Sequence, residues 1–276
     1  MLVRVGFSAD PDDAFMFWGL ASGAVDPRGF EFEPVVEDTQ TLNEWSLDGR
    51  LEVTAISLAT YPLVQDRYLL LPHGASMGSG YGPIVVARER LSLDELHATQ
   101  IVVPGKLTTA FLVLKMALGG DFDCRVLPSD AILPAVASGD AEAGLLIHEE
   151  MLTYLDSGLE KCLDLGEWWL LETGLPLPLS VNLVRRDLGL SAAREISSIL
   201  RESIDAALEH RSEALEYALE FGRGMDTERG DRFIGMYVNE RTLDYGEEGR
   251  LAVRELLARA EAVGAYDAPV RVEFAA

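Results

Sequence analysis

The segment Ala143–Ile147 is an apolar run typical of a buried strand, and it is followed by His148, Glu149 and Glu150. In open α/β sheets, ligands bind outside the carboxyl ends of the strands. Imidazole is the side chain whose ordinary pKa lies nearest to neutral pH, and adjacent carboxylates favour its protonated form. The position makes His148 a candidate general base. The alternative is a hydrogen-bonded structural histidine.

A second candidate site lies where Pro104-Gly105-Lys106 leads into a predicted helix with Thr108 and Thr109 in its first turn. The first N–H groups of a helix have no partner within the helix. Together with the two hydroxyls, they are suited to binding a carboxylate. The alternative is simple capping of the helix by one of the threonines, and the local residues leave both interpretations open.

The sequence Asp10-Pro11-Asp12-Asp13 is similar to the acidic motif of aspartyl-phosphate phosphatases. Those enzymes need the nucleophile at the strand end, a lysine partner and further acids for Mg²⁺. Here Ser8 and Ala9 separate the motif from the first predicted strand, and the lysines of the chain are Lys106, Lys115 and Lys161. We therefore expect a helix cap with amino-terminal carboxylates, and phosphatase chemistry is a minor alternative.

Four glycines, at positions 74, 78, 80 and 82, are similar to a phosphate-binding loop. The segment leads into a predicted strand, however, so no helix amino terminus would face a phosphate. Glycines at such a place permit tight turns and bending of the chain. We interpret them as turn residues next to a crossing between two domains.

The charge balance excludes one class of partner. The chain has 46 acidic and 23 basic residues, a formal net charge of −23, which repels phosphate backbones and excludes nucleic acid. An anionic ligand needs local compensation, most simply from N–H groups at a helix amino terminus. Cys124 and Cys162 lack the spacing of metal ligands and no His-Glu-x-x-His motif occurs, so we expect no metal site.

Composition and the start of the chain predict a cytoplasmic protein that does not enter a membrane. Apolar residues make up 48% and charged residues 25% of the chain, which is ordinary for a globular protein. The first strand begins at Val3 and acidic residues follow it, which leaves no apolar region for a signal peptide. The longest apolar stretches are too short to span a membrane.

Alternating strand and helix signals precede a helical carboxyl-terminal part. We predict strands at Val3–Phe7, Phe30–Val36, Val53–Ser57, Pro83–Ala87, Ile101–Val103, Cys124–Leu127, Ala143–Ile147 and Val181–Val184. We predict helices at Asp13–Ala21, Thr39–Leu47, Ala110–Leu118, Asp130–Ala137, Glu195–Leu208, Ser212–Phe221, Arg229–Tyr237 and Glu247–Ala262. Such alternation indicates a largely parallel sheet with helices on both faces. The proline-rich segment Pro176-Leu177-Pro178 should break the pattern.

A discontinuous division into two domains fits this order best. Residues 1–86 and 183–276 would form a larger α/β domain with a helical carboxyl-terminal part, and residues 87–182 a smaller α/β domain. The chain would cross between them near Pro83–Ala87 and near Val181–Arg185. Two α/β lobes joined by a double crossing form a hinged cleft, which is a common place for a small-molecule site.

The order of motifs along nearly the whole chain resembles the 1,4-dihydroxy-6-naphthoate synthases of the futalosine route to menaquinone. The residues that carry the resemblance are Gly6-Phe7-Ser8 with Asp13, Glu37-Asp38 with Thr41-Leu42-Asn43 and Trp45, Pro104-Gly105 with Thr109-Ala110, Ala143–Glu149, Asp164-Leu165-Gly166 with Trp168-Trp169, and Thr173-Gly174-Leu175-Pro176-Leu177-Pro178-Leu179. The last of these segments is the most specific.

The resemblance implies an α/β, two-lobed fold like that of type II periplasmic binding proteins, with an interdomain cleft. It implies a carbon–carbon lyase that converts cyclic dehypoxanthine futalosine, a small molecule with an aromatic carboxylate, to 1,4-dihydroxy-6-naphthoate without a required cofactor. The general base of the family corresponds to His148 and its threonine pair to Thr108 and Thr109. Its contact segment after the third strand corresponds to Ala55, Ile56 and Ser57.

The chain also departs from the family. Where the family usually has Ser-Pro-Cys-Pro-Asn-Asp, this chain has Ser8-Ala9-Asp10-Pro11-Asp12-Asp13, so no role of that cysteine or asparagine carries over. Ala55 replaces a frequent lysine, and Ser180 replaces a glycine. Two alternatives stay open. The first is the sister chorismate dehydratase of the same pathway, and the second is a cytoplasmic solute-binding protein without catalysis.

Overall fold

The computed structural model describes residues 1–221 and 225–275 of the chain. Its strands are β1 (Leu2–Phe7), β2 (Glu31–Val36), β3 (Val53–Ser57), β4 (Tyr68–Leu70), β5 (Ser76–Gly78), β6 (Ile84–Ala87), β7 (Ile101–Val103), β8 (Cys124–Val126), β9 (Ala143–Leu146), β10 (Glu160–Asp164) and β11 (Leu177–Arg185). Its helices are α1 (Pro11–Ala21), α2 (Thr39–Asp48), α3 (Tyr61–Val64), α4 (Leu93–Ala98), α5 (Thr109–Ala117), α6 (Ser129–Ser138), α7 (Leu165–Thr173), α8 (Leu190–Glu209), α9 (Arg211–Leu219), α10 (Thr227–Tyr237), α11 (Glu240–Leu243) and α12 (Gly246–Ala262).

The strands form two separate mixed sheets. The first has the order β2-β1-β3-β11-β4, with β5 also paired to β11, and the second has the order β10-β6-β9-β7-β8. Pairs among β1, β2 and β3 and among β7, β8 and β9 are parallel. Every pair that involves β11 or β6 is antiparallel. The prediction of a largely parallel sheet was therefore wrong, because β6 and β11, next to the chain crossings, run against their neighbours.

Strand β11 is longer than predicted because the proline-rich segment does not end it. The strand begins at Leu177, and its pairing with β5 shifts in register between Pro178 and Ser180. A register shift of this kind tolerates proline, since one ladder hydrogen bond is already missing there. From Ser180 onward the strand pairs with β3. The second chain crossing therefore leads directly into the first sheet.

Sheet membership shows that the chain passes twice between the two sheets. The first sheet uses strands within residues 2–78 and 177–185, and the second uses strands within residues 84–164. The exact domain division, at 86/87 and 182/183, stays a prediction. Residues 222–224 and 276 of the predicted larger domain lie outside the described residues. Within the described part of the chain, no helix is both long and apolar enough to cross a membrane.

Helix α1 is held in place by close contact with α8. A Cβ atom added to Gly19 would lie 2.7 Å from the Ser203 Cα, so the two backbones nearly touch. The buried Ser203 hydroxyl donates to the Met16 carbonyl at 2.8 Å and accepts from the Leu20 N–H at 3.2 Å. These contacts fix the direction of α1, whose first turn follows the carboxyl end of β1.

Strand β9 is fixed by an equally close contact with α6. A Cβ atom at Gly144 would lie 2.7 Å from Ile132 Cγ2 and 2.8 Å from Val136 Cγ2, and both of these side chains are fully buried. Strand β9 pairs with β6 on one side and with β7 on the other. The residue that follows its carboxyl end therefore has a well-defined position.

Gly74 and Gly80 have φ angles of +76° and +78°, a backbone region that favours glycine. This supports the interpretation of these two as turn residues, whereas Gly78 lies in β5. Neither lies at the start of a helix, as a phosphate-binding loop would require.

Candidate active site

A cavity lies between the two sheets and holds about 660 Å³ of space not filled by protein, part of it open to solvent. Both sheets contribute to it, together with the first turns of α1 and α5 and one face of α10. The lining residues are Ser8, Asp10, Asp12, Asp13, Thr39, Leu42, Ala55, Ile56, Ser57, Ser76, Pro83, Thr108, Thr109, Ala110, Ile147, His148, Met151, Leu179, Ser180, Phe233 and Tyr237. An apolar lining with a few polar groups that converge on the same space is typical of a small-molecule site. All of the residues predicted from the sequence to bind substrate or act on it meet in this one cavity.

His148 follows β9 and has a positive φ angle of 64°, which is unusual for a residue other than glycine. Such a backbone costs on the order of 1 kcal/mol and persists only where the surroundings hold it. One contact that holds it is an ion pair between His148 Nδ1 and Asp10 Oδ2 at 2.6 Å. Because Nδ1 donates to Asp10, Nε2 is the ring nitrogen left for a ligand in the cavity.

Asp10 precedes the first residue of α1, but its side chain makes no capping hydrogen bond there. The predicted helix cap was wrong for this residue, because its carboxylate binds the His148 imidazole instead. The same contact occupies the carboxylate that a phosphatase would use as nucleophile. Asp12 and Asp13 do lie in the first turn of α1, as expected. All three carboxyl groups are buried.

The Ser8 hydroxyl joins two of these carboxyl groups. Its Oγ lies 2.7 Å from Asp10 Oδ2 and 2.7 Å from Asp13 Oδ2. A hydroxyl carries a single proton, so it can donate to only one of the two oxygens at a time. The other contact becomes a hydrogen bond when the carboxyl group itself carries a proton. The His148–Asp10–Ser8–Asp13 chain is thus continuous and able to share protons.

Burial and mutual repulsion shift the pKa values of this cluster. Burial lowers the pKa of His148, but the Asp10 carboxylate, and then Glu150 and Glu149, more than offset it and raise that pKa to about 9. Burial, followed by the charges of Asp13 and Asp10, raises the pKa of Asp12 to about 8. Burial and the Asp10 charge raise the pKa of Asp13 to about 6. The cluster therefore holds more protons at neutral pH than its residue types alone would predict.

The first turn of α5 also lines the cavity. Thr108 caps the helix: its hydroxyl accepts from the Phe111 N–H at 3.1 Å and donates to the Gly105 carbonyl at 2.8 Å. The Thr109 hydroxyl donates to the Leu179 carbonyl at 2.6 Å. Both hydroxyl protons are thus used within the protein, and capping by Thr108 is confirmed. The groups that this turn can offer to a ligand are the N–H groups of Thr109 and Ala110.

Ala55, Ile56 and Ser57 line the cavity at the end of β3. Ser57 is fixed by the fully buried Asn43, whose Oδ1 accepts from the Ser57 N–H at 2.8 Å and whose Nδ2 donates to Ser57 Oγ at 3.0 Å. The Ser57 oxygen is an acceptor in this contact. Its hydroxyl proton can therefore be donated to a ligand.

Several lining residues were missed by the sequence reasoning. Ser76 follows a tight turn, whereas Phe233 and Tyr237 come from α10, near the far end of the chain. The helical spacing of Phe233 and Tyr237 indicated only that they share one face of a helix. Trp169, which belongs to a motif of the family, is instead a fully buried core residue whose Nε1 donates to the Pro176 carbonyl.

A family model described as "Menaquinone biosynthesis" matches residues 3–262 of the chain. The chain is 45% identical over 262 residues to the 1,4-dihydroxy-6-naphtoate synthase of Thermus thermophilus, with 95% of each chain covered. It is 38% identical over 267 residues to the synthase of the same name from Streptomyces coelicolor, covering 95% of this chain and 94% of that one.

Solved structures are similar to this chain over nearly its whole length. A crystal structure of an Archaeoglobus fulgidus protein matches with a TM-score of 0.91 and 45% identity, covering 96% of this chain and 98% of that one. The alkanesulfonate-binding protein of Xanthomonas axonopodis pv. citri matches with a TM-score of 0.71 at 12% identity, covering 96% and 92%. The latter shows the fold alone and, with the two sheets, confirms the expected two-lobed architecture of type II periplasmic binding proteins. The chain belongs to the menaquinone biosynthesis family.

Proposed function

We propose that this chain is a carbon–carbon lyase of menaquinone biosynthesis. It converts cyclic dehypoxanthine futalosine to 1,4-dihydroxy-6-naphthoate in the cytoplasm, with His148 as general base and no required cofactor. The observation that carries the proposal is the His148–Asp10 pair, largely shielded from solvent, in the wall of the cavity between the two sheets. The names of two full-length relatives support the product.

The base step follows from the orientation of His148. Nδ1 is bonded to Asp10, so Nε2 would remove a proton from a sugar hydroxyl of the substrate. The resulting imidazolium is stabilised by the Asp10 carboxylate. The hydroxyl oxygen becomes a carbonyl oxygen, and the adjacent carbon–carbon bond breaks in a retro-aldol-type cleavage. Because His148 acts only when it is neutral and its pKa is raised to about 9, turnover should rise from neutral pH towards pH 8–9.

The binding side of the cavity would hold the aromatic carboxylate of the substrate. The geometry at Thr108 and Thr109 favours contact through the N–H groups at the start of α5, since both hydroxyl protons are already bonded. Ser57, next to Ala55 and Ile56, would donate one hydrogen bond to an oxygen of the substrate. We expect these contacts to bring the sugar part of the substrate next to His148.

Closure of the two lobes would exclude water from the reactive intermediate. We place the lobes at residues 1–86 with 183–276 and at residues 87–182. Their double crossing allows a hinge motion. Small-angle scattering should show a smaller radius of gyration when product or a substrate analogue is bound, and an unchanged radius would argue against closure.

The experiment that tests the function is incubation of the purified protein with cyclic dehypoxanthine futalosine, followed by chromatography and mass spectrometry of the product. His148→Asn should bind substrate but turn over about 10²–10⁴ times more slowly than the unchanged protein. His97→Asn, on the exposed surface of α4, is the matched control and should keep full activity.

The other outcomes point either to a different function or to a different base. Binding without product formation in the unchanged protein would favour a solute-binding protein without catalysis. Turnover of chorismate in its place would favour the sister dehydratase. Near-normal turnover by His148→Asn would remove His148 from the mechanism while leaving the reaction in place.

A further inference from the structure

Asp12 is a buried carboxyl group that lines the cavity and that the base step does not use. Its Oδ2 accepts a hydrogen bond from the Ser76 hydroxyl at 2.7 Å. Asp10 is paired with an imidazole and Asp13 accepts the Ser8 N–H at 3.0 Å. Among these three groups Asp12 therefore has the weakest stabilisation of a negative charge.

A negative charge on Asp12 is further opposed by its surroundings. The lining residues of the cavity include Asp10, Asp13 and His148 as titratable neighbours, and none of the described lining residues is a lysine or an arginine. Carboxylates that share a buried site cannot all ionise near neutral pH, and the least stabilised one retains its proton. The raised pKa of Asp12, about 8 from burial and then the charges of Asp13 and Asp10, agrees with this ordering.

A second buried polar group in the same cavity, the Tyr237 hydroxyl, also lacks an assigned role. Tyr237 lies on α10, lines the same cavity and is only 2% exposed, yet its hydroxyl has no hydrogen-bond partner among the described residues. A buried hydroxyl without a partner is unfavourable, so it usually marks the place of a missing polar atom. Burial, and then the charge of Asp12, raises the pKa of this phenol, which makes it a hydrogen-bond donor at every physiological pH.

We propose that Asp12 is the general acid of the reaction and that Tyr237 donates a hydrogen bond to the substrate oxygen beside it. This inference rests on the proposed function. The proton balance is complete without any further reactant. His148 takes a proton from the hydroxyl, the carbon–carbon bond breaks with its electron pair left on the departing carbon, and the Asp12 carboxyl group protonates that carbon. Exchange with water then restores both residues.

The division of roles predicts a particular pH profile. A base and an acid with pKa values of about 9 and about 8 give a bell-shaped profile with its maximum between these two values. In Asp12→Asn the alkaline limb should disappear, because no group remains that must stay protonated. We expect its kcat to fall about 10²–10⁴-fold with little change in KM. Asp12→Glu, which restores an acid, should recover part of the rate and the alkaline limb.

The control for this experiment is Asp94→Asn, since Asp94 also lies in the first turn of a helix but is exposed on α4. It should leave kcat and the pH profile unchanged. Tyr237→Phe should raise KM about 3–10-fold, the effect of one lost hydrogen bond. The inference is overturned if Asp12→Asn keeps its alkaline limb with kcat within about threefold of the unchanged protein.

A measurement without turnover separates this inference from the proposed function. Infrared difference spectra between neutral and alkaline pH should show the C=O band of a protonated carboxyl group in the unchanged protein and in Asp94→Asn. The band should be lost in Asp12→Asn. If the band persists in that variant, another group holds the proton and the assignment to Asp12 is wrong, whatever the substrate turns out to be. If the protein makes no product from cyclic dehypoxanthine futalosine, the proposed function fails, and the infrared result still decides the protonation of Asp12.

Discussion

Two helices, α1 and α5, begin at the same cavity with opposite chemistry. Helix α1 begins with Asp12 and Asp13 just after Asp10, whereas α5 begins with Thr108 and Thr109. A helix amino terminus favours a negative charge through its unpaired N–H groups and its dipole. At α1 the protein supplies that negative charge itself. At α5 the hydroxyls bond to the backbone, which leaves the favourable position to a ligand.

The difference between the two helix starts would allow a protein with a formal net charge of −23 to bind an anion. An anionic group would be repelled at α1, where three buried carboxyl groups lie together. It would be attracted at α5, whose first turn carries no charged side chain. In our proposal the two helix ends would orient the substrate, with its carboxylate at α5 and its reacting sugar at α1 and His148.

The largest effect should follow from a change at the α1 side. In Asp10→Asn, His148 loses the carboxylate that orients it and stabilises its imidazolium. The largest influence that raises the pKa of His148 is then lost, and burial is opposed only by the charges of Glu150 and Glu149, so the rising limb of the pH profile should move to lower pH. We expect kcat to fall at least about 10²-fold with KM nearly unchanged, measured by steady-state kinetics across pH. An unmoved rising limb would show that Asp10 does not act through His148.

A change at the α5 side should affect binding and not chemistry. Thr108→Val removes the cap, which should lower the free energy of unfolding by about 1 kcal/mol. The first-turn N–H groups lose their fixed direction, and KM should rise about tenfold while kcat stays nearly constant. Thr108→Ser keeps the capping hydroxyl and is the matched control. If KM is unchanged although thermal stability falls, the carboxylate binds elsewhere.

The α1 side should also make stability depend on pH. The pKa of His148 is raised from 6.5 to about 9, so its contribution is fully present below 6.5 and is lost as pH rises through 9. The pKa of Asp12 is raised from 3.8 to about 8, so its contribution to stability is also lost as pH rises, over the range between these two values. The free energy of unfolding should therefore decrease by at least about 1 kcal/mol between neutral and alkaline pH. Denaturant titrations of Asp10→Asn should show a smaller decrease, and an equal decrease would mean that other groups cause it.

Parts of the fold were predictable because their signals are local. Strands β3 and β7 have the bounds that their apolar runs indicated, and the helices of the carboxyl-terminal part follow their apolar spacing. The short strands β4 and β5 were missed, since three residues carry no clear periodicity. The direction of β11 was not predictable, because strand pairing depends on distant segments and Pro178 masked its start.

The residues of the candidate site were likewise predictable only where a local sequence pattern marks them. His148 and Thr108 stand at the end of a strand and the start of a helix, which are positions that a sequence pattern can locate. The partner of His148 was not found, because Asp10 follows a different strand of the other sheet. Asp10 stands where the family usually has cysteine, so the resemblance also gave no signal for it. Tyr237 reaches the cavity only through the packing of α10.

The smallest expected effect belongs to Ser57, which lines the same cavity at the end of β3. Ser57→Ala removes one hydrogen bond to the substrate, worth about 0.5–1.5 kcal/mol, so KM should rise about 2–10-fold without a change in the pH profile. It also leaves the buried Asn43 amide without its acceptor, which should lower thermal stability. Ser57→Thr keeps the hydroxyl and should preserve both. A shifted pH profile in Ser57→Ala would show that Ser57 acts together with the reacting groups at the start of α1. The proposal that α1 carries the chemistry and α5 the binding would then be wrong.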